Sequence, residues 1–394
     1  MRQSSRPFVL LLGLLLLPGC QGGDVAVPEK SGPAADNQAT AHEDEASAVF
    51  AARGGQNDPQ PPVPEPDAST AMATLESLAT ELKRDGEGRV VEVSFRDTVI
   101  DDGALAPLPE LPGLRSVLLN DTGITDAGLS TLGKMSSLRN LDLRGCAVSN
   151  AGLAHLAGLS NLAALRLSGS NGKTTVDDQG LGHVAKLASL KVLSLDFLWI
   201  SEEGLARLDG LKDLEELYLA KTLVGDEAMA VIAQFPRLRK LRISQTQVTG
   251  EGLAHLAKLP HLEDLDVSEC AQLSDEGLAH LAAMTPLKRL NLWRAPIGDA
   301  GAAHLEELVN LEWLNLDNTL LTDAGVKYLE GMGRLTFLHL GSTATSDAGL
   351  KHLEGLTSLK DLKVTRTAIT AEGVEQLQKK LPDTAIQLRY IEGQ

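Results

Sequence analysis

The sequence predicts an α/β solenoid, a small strand–helix unit stacked about twelve times. A parallel sheet should line its concave face and short helices its convex face. Three observations carry this reading. Leucine supplies 72 of the 394 residues. Phe, Trp and Tyr together make up only 3% of the chain, although aromatics normally contribute large buried areas to a globular core. One pattern of apolar positions then recurs from Val90 onward, mostly every 24 residues, which is the mark of a repeat architecture.

The remaining composition narrows the function classes. The net charge of −17 disfavours binding to a nucleic-acid backbone. Three cysteines are too few for a disulfide scaffold. No apolar run reaches the ~18 residues of a membrane-spanning helix.

Arg2 and Arg6 open the chain, and an apolar run follows from Phe8 to Leu17, broken only by Gly13. This order suits a secretory signal and is too short for a permanent bilayer span. The run ends Leu17-Pro18-Gly19-Cys20, which resembles the lipobox of bacterial lipoproteins. The resemblance implies removal of a signal peptide over residues 1–19, lipid attachment at Cys20 and anchoring by several acyl chains. Gln21 follows the cysteine where Asp would favour inner-membrane retention, so the resemblance implies the outer membrane. Free secretion is the alternative localisation.

Residues 20–69 are rich in Pro, Ala, Gly and acids, and from Gln21 to Ser69 the net charge is −7. Such a segment lacks the apolar surface to fold and is expected to act as a disordered tether. Leu75, Leu78, Ala79 and Leu82 then fall at helical spacing. They predict an amphipathic helix over 70–84, in a capping segment of residues 70–89.

The repeat domain is expected over residues 90–394. Units begin at Val90, Leu114, Leu138, Leu162, Leu190, Leu214, Leu238, Leu262, Leu287, Leu311, Leu335 and Leu359. The spacing lengthens to 28 after Leu162 and to 25 after Leu262. Ile386 and Leu388 mark a last strand. Positions one, four and six are apolar, as in Leu114, Val117 and Leu119, and the last two have the period of a strand. Position nine is Thr in seven units and Cys146 or Cys270 in two. Its hydroxyl should bond the backbone of the turn, because buried polar groups need partners. Positions twelve and thirteen hold Ser, Thr, Asp or Asn, as in Thr125-Asp126, and predict helix N-caps. Leucines such as Leu153, Leu156 and Leu159 then define one face of a short helix.

The Leu-x-x-Leu-x-Leu opening resembles the leucine-rich repeat family and extends over about 290 residues. The Thr-Asp-x-Gly-Leu form is similar to repeats of F-box substrate receptors. That likeness implies fold and recognition only, since no F-box-like helical segment precedes the repeats.

Several tempting features have structural explanations. Cys146 and Cys270 lie five units apart, about 24 Å at ~4.8 Å per strand, too far for a disulfide. Six histidines share position eighteen, among them His255, His280 and His304. Adjacent helices are spaced about 8–10 Å apart, too widely for two side chains to share one zinc ion. The eight Asp at position thirteen read as capping residues and not as a calcium loop. Gly169-Ser170-Asn171-Gly172-Lys173-Thr174-Thr175 resembles the phosphate loop of ATP-dependent muramyl ligases. It lacks the leading glycine, has Leu167 in its place, and fills the four-residue insertion of its unit. No metal, cofactor or nucleotide is expected.

Positions three, five and seven should project from the concave face. Three consecutive units place Arg289, Asn291 and Trp293, then Trp313, Asn315 and Asp317, then Phe337 and His339 there. Aromatics beside Arg and Asn are what interface hot spots look like. Tyr218, Arg242 and Asp266 are weaker candidates, and Trp199 should only cover the turn that follows its strand. The expected function is a non-enzymatic, monomeric scaffold tethered to the bacterial cell envelope, with a protein partner on its concave face. The alternatives are a carbohydrate or cell-wall binder, with Trp293 and Trp313 stacking on sugar rings, and a substrate-recognition subunit of the F-box type.

Overall fold

A computed structural model describes residues 68–389. The signal segment, Cys20 and all but the last two residues of the tether lie outside them.

The described residues form a 14-stranded sheet with strands in chain order. Twelve strands belong to the twelve expected units, from Val90–Ser94 to Asp361–Lys363. Ala385–Gln387 adds the last strand, where Ile386 had marked one, and pairs parallel with Asp361–Lys363. Helices and 3₁₀ turns return the chain behind the sheet between successive strands.

The capping segment differs from the single helix expected over 70–84. The helix is Ala68–Leu78, and Glu81–Arg84 is a strand antiparallel to Val90–Ser94. An open sheet edge exposes unpaired backbone groups. Pairing that edge outweighs the local helical spacing of Ala79 and Leu82, while Leu75 still packs fully into the core.

Leucines occupy repeated interior slots. Leu214, Leu217 and Leu219 are fully buried, and so are their counterparts Leu311 and Leu314. Burying each such side chain contributes roughly 1.5–3 kcal/mol. The seven position-nine threonines do what the turn requires. Each hydroxyl donates to the position-six carbonyl of its own unit over 2.6–2.7 Å. Cys146 and Cys270 are buried free thiols at the same level. Each lies 3.1 Å from a carbonyl of the preceding unit, Leu119 or Ile243.

Position eight carries a feature that sequence reading missed. Ten non-glycine residues there, from Asp97 to Arg366, adopt φ between 52 and 62°. This left-handed conformation costs an L-residue on the order of 1 kcal/mol. It turns the chain out of the strand after the position-eight N–H has bonded the next unit, as Asp121 N–H bonds the Arg144 carbonyl.

The acidic row at position thirteen also does something different from simple capping. The N-cap is position twelve: the Thr125, Ser149 and Thr322 hydroxyls accept from N–H groups of their own helices. The Asp that follows reaches the next unit. Asp126 accepts from the Ser149 N–H at 2.8 Å and from its hydroxyl at 2.5 Å. Asp299 accepts from Thr322 at 2.8 and 2.6 Å. The same pair of bonds joins Asp102 to Thr125, Asp178 to Ser201, Asp226 to Thr249, Asp323 to Ser346 and Asp347 to Thr370. Asp275 makes only the backbone bond, because Gly298 has no hydroxyl. The motif glycine completes the clamp: a Cβ on Gly152 or Gly325 would overlap the carboxylate of Asp126 or Asp299. Ser/Thr-Asp-x-Gly is therefore a fastening between units.

Candidate functional site

Short parallel strands in register bring the predicted residues together. Arg289 lies beside Trp313 and Asn291 beside Asn315. Trp313 lies beside Phe337 and Asn315 beside His339. Leu290, Leu314 and Leu338 alternate with them and are fully buried, which turns the neighbouring positions outward.

The rings of Trp313 and Phe337 stack, with centroids 4.9 Å apart and planes 6° apart. Arg289 lies 4.5 Å from the Trp313 centroid on the side away from Phe337. Lys363, which sequence reading passed over, lies 5.6 Å from the Phe337 centroid on the next strand. Cations and rings thus alternate in one row, an arrangement favoured by the ring quadrupoles. Each ring therefore has the other ring against one face and a cation near the opposite one. Trp293 sits beside this row with Arg294 5.3 Å from its centroid.

The two asparagines are half structural. Asn291 Oδ1 accepts from the Trp293 N–H, and Asn315 Oδ1 accepts from the Asp317 N–H. Their Nδ2 groups have no hydrogen bond among the described residues, which leaves them able to donate to a partner. His339 Nε2 lies 3.8 Å from Asp317 Oδ1. Burial holds this imidazole below its ordinary value; Asp317 pulls the other way, and Lys363 adds to the depression.

Tyr218, Arg242 and Asp266 are engaged elsewhere. Tyr218 donates to Glu216 at 2.6 Å, and burial together with that carboxylate raises its phenol. Arg242 reaches across two units to Asp196 at 2.6 Å. Asp196 is buried, which raises its carboxyl pKa against the pull of Arg242. Asp266 accepts from the N–H and hydroxyl of Ser268. This middle part of the concave face is largely self-satisfied. A cleft of about 330 Å³ opens between it and the aromatic row, lined by Lys240, Asp264, Arg289 and Trp313 among others.

Trp199 does not cover its turn as expected. It is 72% exposed and stands beside Phe197 and Leu223 at the sheet's exit rim. The insertion before it is built into the fold. Asn171 donates to the Gly145 carbonyl, and the buried Thr174 hydroxyl lies within reach of the Ser168 and Cys146 carbonyls. Thr174 falls at position nine of its unit once the insertion is set aside, but its hydroxyl meets the position-seven carbonyl of Ser168 and not that of position six. Among the described residues, no group of three or more His, Cys, Asp or Glu converges in a way that could hold a metal ion.

The Leucine Rich repeat family model matches residues 134–157 and 258–282. No curated protein matches the sequence. Among solved structures the fold is similar to an internalin (inlF) from Listeria monocytogenes, with a TM-score of 0.59 at 18% identity. That likeness covers 83% of this chain and 95% of the other. The yeast Rad7–Elc1 complex gives a TM-score of 0.55 at 16% identity, over 75% of this chain and 82% of the other. The chain carries leucine-rich repeats, and its described residues form a leucine-rich-repeat solenoid.

Proposed function

We propose that this protein is a non-enzymatic binding scaffold whose concave face takes a protein partner through the row from Arg289 to His339. The observation that carries the reading is the stack of Arg289, Trp313, Phe337 and Lys363, set among the free amide donors of Asn291 and Asn315. Ring edges, a guanidinium, an ammonium and amide N–H groups all favour acceptors. A partner segment with apolar side chains among carboxylates or backbone carbonyls complements them. One structurally similar chain comes from a complex of two proteins, yeast Rad7 and Elc1.

The carbohydrate reading is weaker at this site. Sugar stacking needs an open ring face, and Trp313 has Phe337 against one face and Arg289 near the other.

The anchor belongs to the same proposal. The lipobox-like Leu17-Pro18-Gly19-Cys20 supports acylation at Cys20, with the acidic tether holding the solenoid off a bacterial membrane. Two measurements test the whole. Labelled palmitate should be incorporated by the wild type and not by Cys20→Ser. Cross-linking from intact cells should recover a partner with the wild type and lose it in Trp293→Ala/Trp313→Ala. An unchanged partner set would refute the patch.

A further inference from the structure

We propose that the second and third repeats carry a separate site for a phosphate-type oxyanion, held by Arg115 and Arg139. Position-two residues form a row on the strand-entry rim. From Lys191 to Glu312 this row alternates in sign: Lys191, Glu215, Arg239, Glu263, Lys288, Glu312. Lys191 pairs with Glu215 at 2.7 Å, Arg239 with Glu263 at 2.9 Å and Lys288 with Glu263 at 3.2 Å. Opposite charges on neighbouring strands stabilise a sheet and like charges destabilise it.

The other end of the row breaks this rule. Arg115 and Arg139 are direct neighbours, joined by a bond from the Arg139 N–H to the Arg115 carbonyl. Both side chains are exposed, and neither has an ion pair or side-chain hydrogen bond among the described residues. They line a cleft of about 320 Å³ together with Arg89, Ser137 and Asn161, with no carboxylate in its wall. Arg89 is already paired with Asp85 and Glu87. Ser137 and Asn161 donate to the Leu114 and Ser136 carbonyls, so they shape the wall. The binding charge is that of the two unpaired guanidiniums.

Two positive charges on planar forks match a compact dianion with several acceptor oxygens. A single carboxylate would leave one charge uncompensated. A long polyanion meets repulsion from the remaining surface: the signal segment carries two positive charges and the tether seven net negative ones, which leaves −12 from Thr70 onward. A phosphate group fits both constraints, and either a small phosphorylated solute or a lipid headgroup can offer one. The site lies six repeats away from the aromatic row and stands independently of it.

The test uses the full chain with Cys20→Ser, so that no acyl chain contributes. Inorganic phosphate is titrated calorimetrically, and flotation is measured on phosphatidylcholine vesicles with and without one third phosphatidic acid, whose phosphomonoester can carry two negative charges. Saturable phosphate binding assigns a soluble ligand. Retention that depends on phosphatidic acid assigns a headgroup. In either case Arg115→Gln/Arg139→Gln should weaken binding by about tenfold or more. Lys191→Gln/Lys288→Gln removes the same charge from the same rim and should change it less than about twofold. Phosphate should raise the melting temperature of the parent and not of the arginine variant. No saturable binding of either probe, or equal loss in both variants, overturns the proposal.

Discussion

The clamp row behind the sheet and the aromatic row on its concave face are built from the same repeat and obey opposite rules. Behind the sheet, seven Asp residues make the same two bonds to the next unit, and each motif glycine leaves room for a carboxylate. On the concave face, the stacked ring pair of Trp313 and Phe337 occurs once among the described residues, while equivalent positions elsewhere hold Ser116, Asn140 or Ala164. A feature that every unit shares answers the need each unit has to bury and fasten itself against its neighbour. A feature confined to four units meets no need of the repeat itself, and that is why the proposed partner is placed on it. The same contrast distinguishes the paired rim charges of the later repeats from Arg115 and Arg139.

Four experiments test this division. The largest effect belongs to a shared interior slot. Leu217→Ala should cost about 2–5 kcal/mol in urea unfolding, because it leaves a cavity in a fully buried layer. Next is the unique row: Trp313→Ala should weaken partner binding by about 2–4 kcal/mol. Its cost in stability should stay near the ~0.5–1.5 kcal/mol of a lost ring pair. Equal losses in binding and stability would erase the distinction. The clamp should show the reverse pattern. Asp299→Ala leaves the Thr322 N–H and hydroxyl without their partner. It should cost about 1–3 kcal/mol of stability with partner affinity unchanged.

The smallest effect is a pH dependence at His339. Burial holds its folded-state pKa below the ordinary value of 6.5, so the unfolded chain takes up this proton first. The stability it contributes is complete above that value and declines as pH falls through it. Melting temperatures between pH 7.5 and 5.5 should therefore fall less in His339→Gln than in the wild type.

Much of this molecule was legible in its leucines. The twelve strands, the closing strand near Ile386 and the hydroxyl bonds of position nine all follow from residues that recur in register. The candidate row was legible for the same reason, since a fixed register puts Trp313 beside Phe337 once the strands are counted. Other features were not. Lys363 is an unremarkable residue until a ring stands 5.6 Å away on the next strand. Trp199 was expected to lie over its turn and instead projects from the rim. The helical spacing of the capping segment gave no sign of the hairpin, because the unpaired sheet edge that recruits Glu81–Arg84 exists only once the solenoid is assembled.

The sequence alone determined the period, the interior and the outward positions, because those depend on which side of a strand or helix a residue faces. The tertiary structure decided what the polar residues do. It made Asp126 a fastener to Ser149, set Phe337 and Arg289 on either side of Trp313 and left Arg115 and Arg139 without counter-charges. Those outcomes depend on atoms brought together from different repeats, and the distances between such atoms are set only when the units stack.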